Sequence, residues 1–313
     1  MTYDPSPSPA IPPAISRVYD AASGGLSTTA SDRTLLDRVL AIMPGYRYFA
    51  RANRAFTHRA VHAFLDAGIT QILDLGCGIL TPDSTHEIAR TAPADGGGTH
   101  TADVARADVV HAEVVYVDTD PTVIEHVRAG TAGTEHVRVV EADLCRVDEL
   151  LDHPVCREVL DLTRPVGVLA AAVLHCLPGH PNSRTGTGTG MDHSAADDPA
   201  DVLRRYFDRL PAGSMLAMSH ASGDTLDAAV TADAIALFAD AGITVVSRTR
   251  SEIEHLLGPW DTTPDGVTRL VWSPPPGRDP HDALGYTAIA TKPADIAAPI
   301  AAPAATDERT GRT

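Results

Sequence analysis

The sequence predicts an α/β protein with a doubly wound sheet of seven strands and a helical cover in front of the first strand. Three observations lead to this prediction. Short apolar runs alternate with helical patterns over residues 70–222, which is typical of parallel strands joined by crossover helices. The first apolar run ends in a glycine-rich turn. The segment before that run shows only helical periodicity.

The helical cover is predicted over residues 15–68. Ser31 is placed as the N-cap of a helix that stops near Gly45, which follows a proline. A second, longer helix has apolar residues along one face and closes at Gly68. A segment of this kind is expected to lie over a pocket at the edge of the sheet.

Five strands are predicted after the cover, each short and apolar enough to be buried. Helical patterns separate them, with Pro121 at the start of one helix and Gly213 beyond the end of another. The five strands are predicted within residues 70–78, 112–120, 135–144, 165–177 and 214–222.

The pattern changes after the fifth strand. A helix is predicted over residues 227–242, and a shorter one follows with Ser251 and Glu254 in capping-box spacing. Two further strands, at residues 267–274 and 285–292, complete the predicted seven.

We expect one folded domain over residues 15–292. Residues 1–14 and 293–313 are rich in proline, alanine and polar residues and are predicted to be disordered. Two low-complexity stretches, 93–112 and 179–198, are predicted to be flexible surface insertions. The second one follows the carboxyl end of the fourth strand. Active sites of such sheets lie at the carboxyl ends of the strands, so of the two insertions this one is the better candidate for a lid.

Composition excludes several classes of protein. A formal charge of −16 and a pI near 5.2 oppose binding to nucleic acid or to an anionic membrane surface. The sequence holds one lysine, Lys292, so neither a P-loop nor a Schiff-base lysine is expected. No secretory leader or membrane-spanning run is recognised, and the four cysteines form no C-x-x-C pair. We therefore expect a reduced, cytoplasmic protein.

The glycine turn indicates which nucleotide would bind. Residues 72–80 read ILDLGCGIL, with Gly76 and Gly78 followed by Thr81 in place of a third glycine. Asp74 stands two residues before the first glycine, where a carboxylate would repel a pyrophosphate. A cationic ligand such as S-adenosylmethionine would tolerate or use that carboxylate, so we expect S-adenosyl-L-methionine as the cofactor.

Two more acids follow the next two strands. Asp118 can accept hydrogen bonds from both ribose hydroxyls, and Asp143 can accept one from an adenine amino group. The ends of successive parallel strands lie side by side, so both acids should share a crevice with Asp74. Thr119 and Leu144 are included in the expected cofactor site. The alternative is that these acids are helix N-caps, worth about 1 kcal/mol each.

With these motifs in place, the chain resembles the class I methyltransferases. In particular it resembles the S-adenosyl methyltransferase family, formerly a domain of unknown function in actinobacteria. The likeness runs from about Ser16 to Thr291 and implies a Rossmann-like seven-strand sheet and methyl transfer. The stretches that carry it are SRVYD, MPG, ARANRAF, DLGCGILT, HEIA, VVYVDTDP, VVEADL, LDLTRPVGVL, VLHCLP, LPAGSMLAMSHAS, RTRSEIEHLL and RLVW.

One segment departs from the family pattern. In the family, SRVYD is followed by a tyrosine, two leucines and a Gly-Gly-Lys-Asp-Asn run. Here the chain reads AASGGLSTTASDR, which keeps Gly24 and Gly25 but loses the tyrosine, the lysine and the Asp-Asn pair. This change suggests a specialised substrate or a different use of the cofactor.

Candidate catalytic residues lie at strand ends and on the cover. His175 follows the fourth strand and is the best placed as a general base or acceptor contact; His220 follows the fifth. Tyr19 could close over the methionine end of the cofactor. Arg51 and Asn53 could meet the cofactor carboxylate or the acceptor. For each of these residues, local packing or a solvated helix face is the competing interpretation.

We expect methyl transfer to a small molecule, a specialised metabolite in the sense of secondary metabolism. We expect no nucleic-acid or membrane partner, and a homodimer is allowed. No metal site is predicted, because His58 and His62 have the i, i+4 spacing but lack a third ligand. One alternative is an enzyme that consumes the cofactor without methyl transfer, by cyclisation or lyase chemistry that releases methylthioadenosine. The other is a catalytically silent protein that binds the cofactor.

Overall fold

The structure is a computed structural model that describes residues 11–91, 112–179, 198–271 and 284–294. The predicted disordered tails and the two predicted insertions lie almost entirely outside these ranges. All elements below therefore belong to the described residues.

Three helices precede the sheet. The N-cap of the second helix is Thr29, not Ser31 as predicted, because Thr29 and Asp32 form a reciprocal capping box. Asp32 also accepts a hydrogen bond from Arg17 Nε at 2.8 Å, which ties the first helix to the second. The three helices are α1 (Ile15–Ser23), α2 (Ala30–Ile42) and α3 (Tyr46–Asp66).

The sheet confirms the doubly wound α/β class. Its strand order is β3-β2-β1-β4-β5-β8-β6, with β7 paired to β8. The first five strands are parallel, and β8 runs antiparallel to β5. The strands are β1 (Gln71–Leu75), β2 (Glu113–Asp118), β3 (Val137–Glu141), β4 (Gly167–Ala171), β5 (Met215–Ala221), β6 (Asp261–Thr262), β7 (Thr268–Arg269) and β8 (Gly285–Thr291).

The strand count differs from the seven predicted. The sequence gives no sign of β6, because two polar residues carry no apolar alternation. The strand predicted at residues 267–274 is only two residues long within the described part of the chain. Both short strands pair with β8, so the edge of the sheet is made of two fragments.

Seven further helices cover the two faces of the sheet. The single helix predicted around residues 147–160 is divided in two, since Pro154 starts a new helix after its N-cap His153. The last helix is capped by Thr249 with Glu252, not by Ser251 with Glu254. The helices are α4 (Thr85–Thr91), α5 (Pro121–Gly130), α6 (Val147–Leu151), α7 (Pro154–Val159), α8 (Pro199–Arg209), α9 (Ala228–Asp240) and α10 (Arg250–Leu256).

Apolar side chains fill both faces of the sheet. On the face covered by α3, Phe64 and Tyr116 are almost fully buried. On the opposite face, Leu75 and Tyr206 are buried with Trp260, whose indole N–H donates to the Leu203 carbonyl at 3.0 Å. These two cores fix the positions of the strand ends.

Lys292 joins the end of β8 to the end of α8. Its Nζ donates to the carbonyls of Phe207 and Leu210 at 2.7 and 2.8 Å. The same Nζ lies 4.7 Å from the centre of the Phe207 ring. The ammonium group therefore satisfies carbonyls at the carboxyl end of α8, where a cation is favoured.

Candidate cofactor and acceptor site

The turn after β1 needs glycine at two positions. Gly76 and Gly78 have φ angles of 65° and 64°, in the left-handed region that favours glycine. Gly76 N donates to the Val117 carbonyl at 2.8 Å, which fixes the turn against β2. A Cβ at Gly76 would lie 2.3 Å from Val173 Cγ2, whereas a Cβ at Gly78 would meet no atom within 4 Å. The space above Gly78 is therefore open to a ligand.

These two glycines give a matched pair of variants. Gly78→Ala should cost about 1 kcal/mol of folding free energy, from backbone strain alone. Gly76→Ala should cost about 1–3 kcal/mol more, because the added methyl group also overlaps Val173. Urea unfolding of both variants measures the difference. Equal losses would show that the Val173 side chain moves aside at no cost in folding free energy.

The three predicted acids lie at the carboxyl ends of adjacent parallel strands. Asp118 Oδ2 accepts from Gly78 N at 3.1 Å, and its Oδ1 accepts from Asp120 N at 3.0 Å. Asp143 Oδ1 accepts from Cys145 N at 2.8 Å. Neither acid is a helix N-cap, since Asp120 caps α5 and Arg146 precedes α6. Both carboxylates accept hydrogen bonds from backbone N–H groups of the turns and lie at the carboxyl ends of the strands.

Asp74 is the most deeply placed of the three acids, with 7% of its surface exposed. Its Oδ2 accepts from Thr85 Oγ1 at 2.6 Å. Burial raises the pKa of Asp74 to about 7; the hydrogen bond from Thr85 opposes this rise and the charge of Asp118 adds to it. This carboxyl therefore titrates close to neutral pH.

A cavity of about 380 Å³ opens at these strand ends, beneath α1 and α3. It brings together most of the residues predicted for the site. The predicted residues that line it are Tyr19, Asn53, Asp74, Gly76, Gly78, Asp118, Thr119, Asp143, Leu144 and His175.

Two predicted residues do not line this cavity. Arg51 is exposed on α3, because its position on the helix faces away from the side that carries Asn53 and Thr57. His220 is 0% exposed, and its Nδ1 and Nε2 lie 2.6 Å from the Ala221 carbonyl and 2.9 Å from Arg248. We therefore assign neither residue a direct contact with cofactor or substrate.

Arg54 is a cavity residue that the sequence analysis missed. It lies next to Asn53 on α3 and its Nη2 is 3.7 Å from Asp20 Oδ1. Arg54 Nε and Ser16 Oγ are buried atoms without a hydrogen-bond partner among the described residues, and both residues line the cavity. Tyr46 and Asn53 lie on the face of α3 that meets the cavity. Helical periodicity counted from these two residues places Arg54 on the same face and Arg51 outside it.

Tyr19 and Asn53 hold each other in place. Tyr19 Oη donates to the Ala50 carbonyl at 3.0 Å and accepts from Asn53 Nδ2 at 2.9 Å. Ser219 donates to Asn53 Oδ1. Burial raises the pKa of Tyr19 to about 12, so the phenol keeps its proton at neutral pH. Tyr19 is consequently placed to position a ligand, not to remove a proton.

His175 lines the cavity from the turn after β4 and is 5% exposed. Burial, with a smaller effect of the Arg248 charge, lowers the pKa of His175 to about 4. Ala221 N donates to His175 Nδ1 at 3.3 Å. The imidazole is therefore neutral at physiological pH, with Nδ1 acting as a hydrogen-bond acceptor.

Within the ranges described above, no group of three or more His, Cys, Asp or Glu residues could hold a metal ion. His58 and His62 stack on α3 with ring centres 5.7 Å apart. None of the helices described is both long enough and apolar enough to cross a membrane.

The sheet is parallel with an antiparallel strand beside β5, a glycine turn follows β1, and acids lie at the carboxyl ends of β1, β2 and β3. Together these features define a class I S-adenosylmethionine-dependent methyltransferase fold. A family model described as S-adenosyl methyltransferase matches residues 9–96 and 96–293. The chain belongs to this family and is an S-adenosylmethionine-dependent methyltransferase.

Two solved structures are similar over nearly the whole chain. A candidate methyltransferase from Thermobifida fusca YX is 31% identical, with a TM-score of 0.73, and the match covers 90% of this chain and 96% of that one. A DUF574 family protein from Streptomyces avermitilis MA-4680 is 30% identical, with a TM-score of 0.73, and covers 90% and 98%. No curated protein matches the chain.

Proposed function

We propose that the 380 Å³ cavity binds S-adenosylmethionine and that the enzyme methylates a small molecule. The observation that carries this proposal is the meeting of three strand-end acids and an open glycine turn in one cavity. A cavity of this size, partly covered by α1 and α3, suits a small acceptor better than a macromolecule. The formal charge of −16 also disfavours a nucleic acid. The four free cysteines support a cytoplasmic location.

The adenosine part of the cofactor is assigned to the side of β2 and β3. Asp118 has both oxygens oriented by backbone N–H groups and keeps lone pairs for the two ribose hydroxyls. Asp143 would accept from the adenine amino group. Thr119 and Leu144 would flank the nucleoside.

The amino-acid part is assigned to the side of β1 and α3. The Asp74 carboxylate would meet the ammonium group of the cofactor. Arg54 and Ser16, with their unpaired buried polar atoms, would hold its carboxylate. The residues thus fit both charges of the cofactor.

The assignment of Arg54 predicts a selective loss of affinity. Arg54→Met should weaken binding of S-adenosylmethionine roughly fivefold, about 1 kcal/mol. It should leave binding of methylthioadenosine unchanged, because that compound lacks the amino-acid part. Calorimetric titration of both ligands measures this difference.

Arg51→Met is the matched control on the same helix and should alter neither affinity. An equal loss for both ligands with Arg54→Met, or a larger loss with Arg51→Met, would contradict the assignment.

When bound, the cofactor supplies a methyl group on a sulfonium, which passes to an acceptor lone pair while the C–S electron pair stays on sulfur. The cavity residues position this acceptor and exclude water. Neutral His175 and protonated Tyr19 act as hydrogen-bonding groups. Any proton on the acceptor atom passes to the bulk solvent when the product leaves the cavity.

Product analysis tests the reaction. Purified enzyme, S-adenosylmethionine and fractionated small-molecule extracts should yield S-adenosylhomocysteine together with a methylated compound, detected by mass spectrometry. Release of methylthioadenosine instead would favour cofactor consumption without methyl transfer, the alternative suggested by the altered segment after SRVYD.

A further inference from the structure

A second, smaller cavity of about 60 Å³ adjoins the first one. The two share Ile15, Tyr46 and His175, so a ligand could extend from one into the other. We call the smaller cavity the side chamber. Its apolar wall includes Met43, Phe49, Leu226, Ile235, Phe238 and Val245.

The described lining of the side chamber contains no Asp, Glu, Lys or Arg. Three of its four hydroxyl groups, all but that of Tyr46, take part in hydrogen bonds within the protein. Ser247 Oγ accepts from Gly223 N at 2.8 Å, Ser222 Oγ accepts from Asp224 N at 3.2 Å, and Thr231 Oγ1 donates to the Asp227 carbonyl at 3.3 Å. A charged group would lose its hydration there without gaining a partner of opposite charge, whereas an apolar group would gain free energy by burial.

Besides the Tyr46 hydroxyl, His175 brings a polar ring to the side chamber. Because its Nδ1 accepts from Ala221 N, the one proton of the neutral ring is on Nε2. No hydrogen bond from Nε2 to any described residue is formed. His220 has the opposite tautomer, since Arg248 donates to its Nε2 and its Nδ1 donates to the Ala221 carbonyl. The free group of His175 is thus an N–H donor, not a base.

We propose that the side chamber binds the apolar ring of the methyl acceptor, and that the acceptor is an uncharged compound carrying a hydrogen-bond acceptor atom for His175 Nε2–H. This proposal rests on the proposed function of the larger cavity. One water-sized group needs roughly 10–15 Å³ of such space, so the side chamber holds about four to six heavy atoms. That corresponds to one ring.

Three probes of similar shape test the proposal: acetophenone, which is neutral, benzoate, which is an anion, and benzylamine, which is a cation. Each is titrated into the enzyme saturated with S-adenosylhomocysteine, and binding is followed by ligand-observed NMR. Acetophenone should bind at least fivefold more tightly than the two charged probes. His175→Phe, which removes the N–H donor, should weaken acetophenone binding at least threefold.

Variants on α9 locate the binding site. Ala234→Leu fills the side chamber and should weaken acetophenone binding at least fivefold, and Ile235→Phe should do the same. Ala236→Leu on the exposed face of α9 is the matched control and should change it less than twofold. Affinity for S-adenosylhomocysteine should stay within twofold in all three α9 variants, which also reports that they are folded.

The outcomes separate the two proposals. If S-adenosylhomocysteine does not bind to the wild-type enzyme, the proposed function fails, and the acceptor role of the side chamber fails with it. If it binds but a charged probe equals acetophenone, or neither filling variant weakens acetophenone, the side-chamber proposal alone is overturned.

Discussion

Replacing Asp118 by alanine is expected to weaken binding of S-adenosylmethionine at least tenfold and up to about a hundredfold. The carboxylate accepts from Gly78 N and Asp120 N and faces the cavity with its remaining lone pairs. Hydrogen bonds to a charged group contribute roughly 1.5–3 kcal/mol each, and 1.4 kcal/mol corresponds to tenfold in affinity. Calorimetric titration measures the loss directly.

Two variants accompany this measurement. Asp118→Asn keeps an acceptor for Gly78 N but loses the charge, so its affinity should be intermediate. Asp227→Ala removes the exposed N-cap of α9, away from the cavity, and should leave cofactor affinity unchanged. Wild-type affinity in the Asp118→Ala protein would remove Asp118 from the cofactor site.

The second large effect concerns pH and Asp74. Burial raises the pKa of this carboxyl to about 7, and only its ionised form can pair with the ammonium group of the cofactor. Binding of the cation favours ionisation, so it lowers the pKa of Asp74 and releases a proton. Affinity for S-adenosylmethionine should therefore fall roughly tenfold from pH 7.5 to pH 6.

Calorimetry in buffers of different ionisation enthalpy counts the released protons. Asp74→Asn should bind the cofactor about ten- to a hundredfold more weakly at pH 7.5. It should also lose the pH dependence between pH 6 and 7.5. An affinity that is flat or rises toward acid pH in the wild-type enzyme would show that Asp74 does not face the ammonium group.

The sheet and its acids could be predicted because their signals are local. A buried strand needs only a short apolar run, and Asp118 could be placed from the run that precedes it. The same holds for the glycine turn, where Gly76 and Gly78 both adopt the left-handed conformation. Adjacent strand ends then follow from the parallel topology.

The remaining parts depend on tertiary geometry. Helical periodicity separates Arg54 from Arg51 only once the face of α3 that carries Asn53 is known to meet the cavity. His220 lies near the end of a strand, as the acids do. Its Nε2, however, accepts a hydrogen bond from Arg248, which is distant in the sequence. Residues from α1, α3 and α9 meet at the side chamber, and no local pattern relates them.

The position of Lys292 has a practical consequence for covalent labelling. Lysine-directed acylating reagents have one side-chain target in this sequence. That target follows Thr291, which pairs with Met215 at the start of β5. Lys292 therefore lies near the amino ends of the parallel strands, whereas the cavity lies at their carboxyl ends. A dye or surface tether attached there would leave the mouth of the cavity clear. Acylation would, however, remove the positive charge that Lys292 places beside the carbonyls at the carboxyl end of α8.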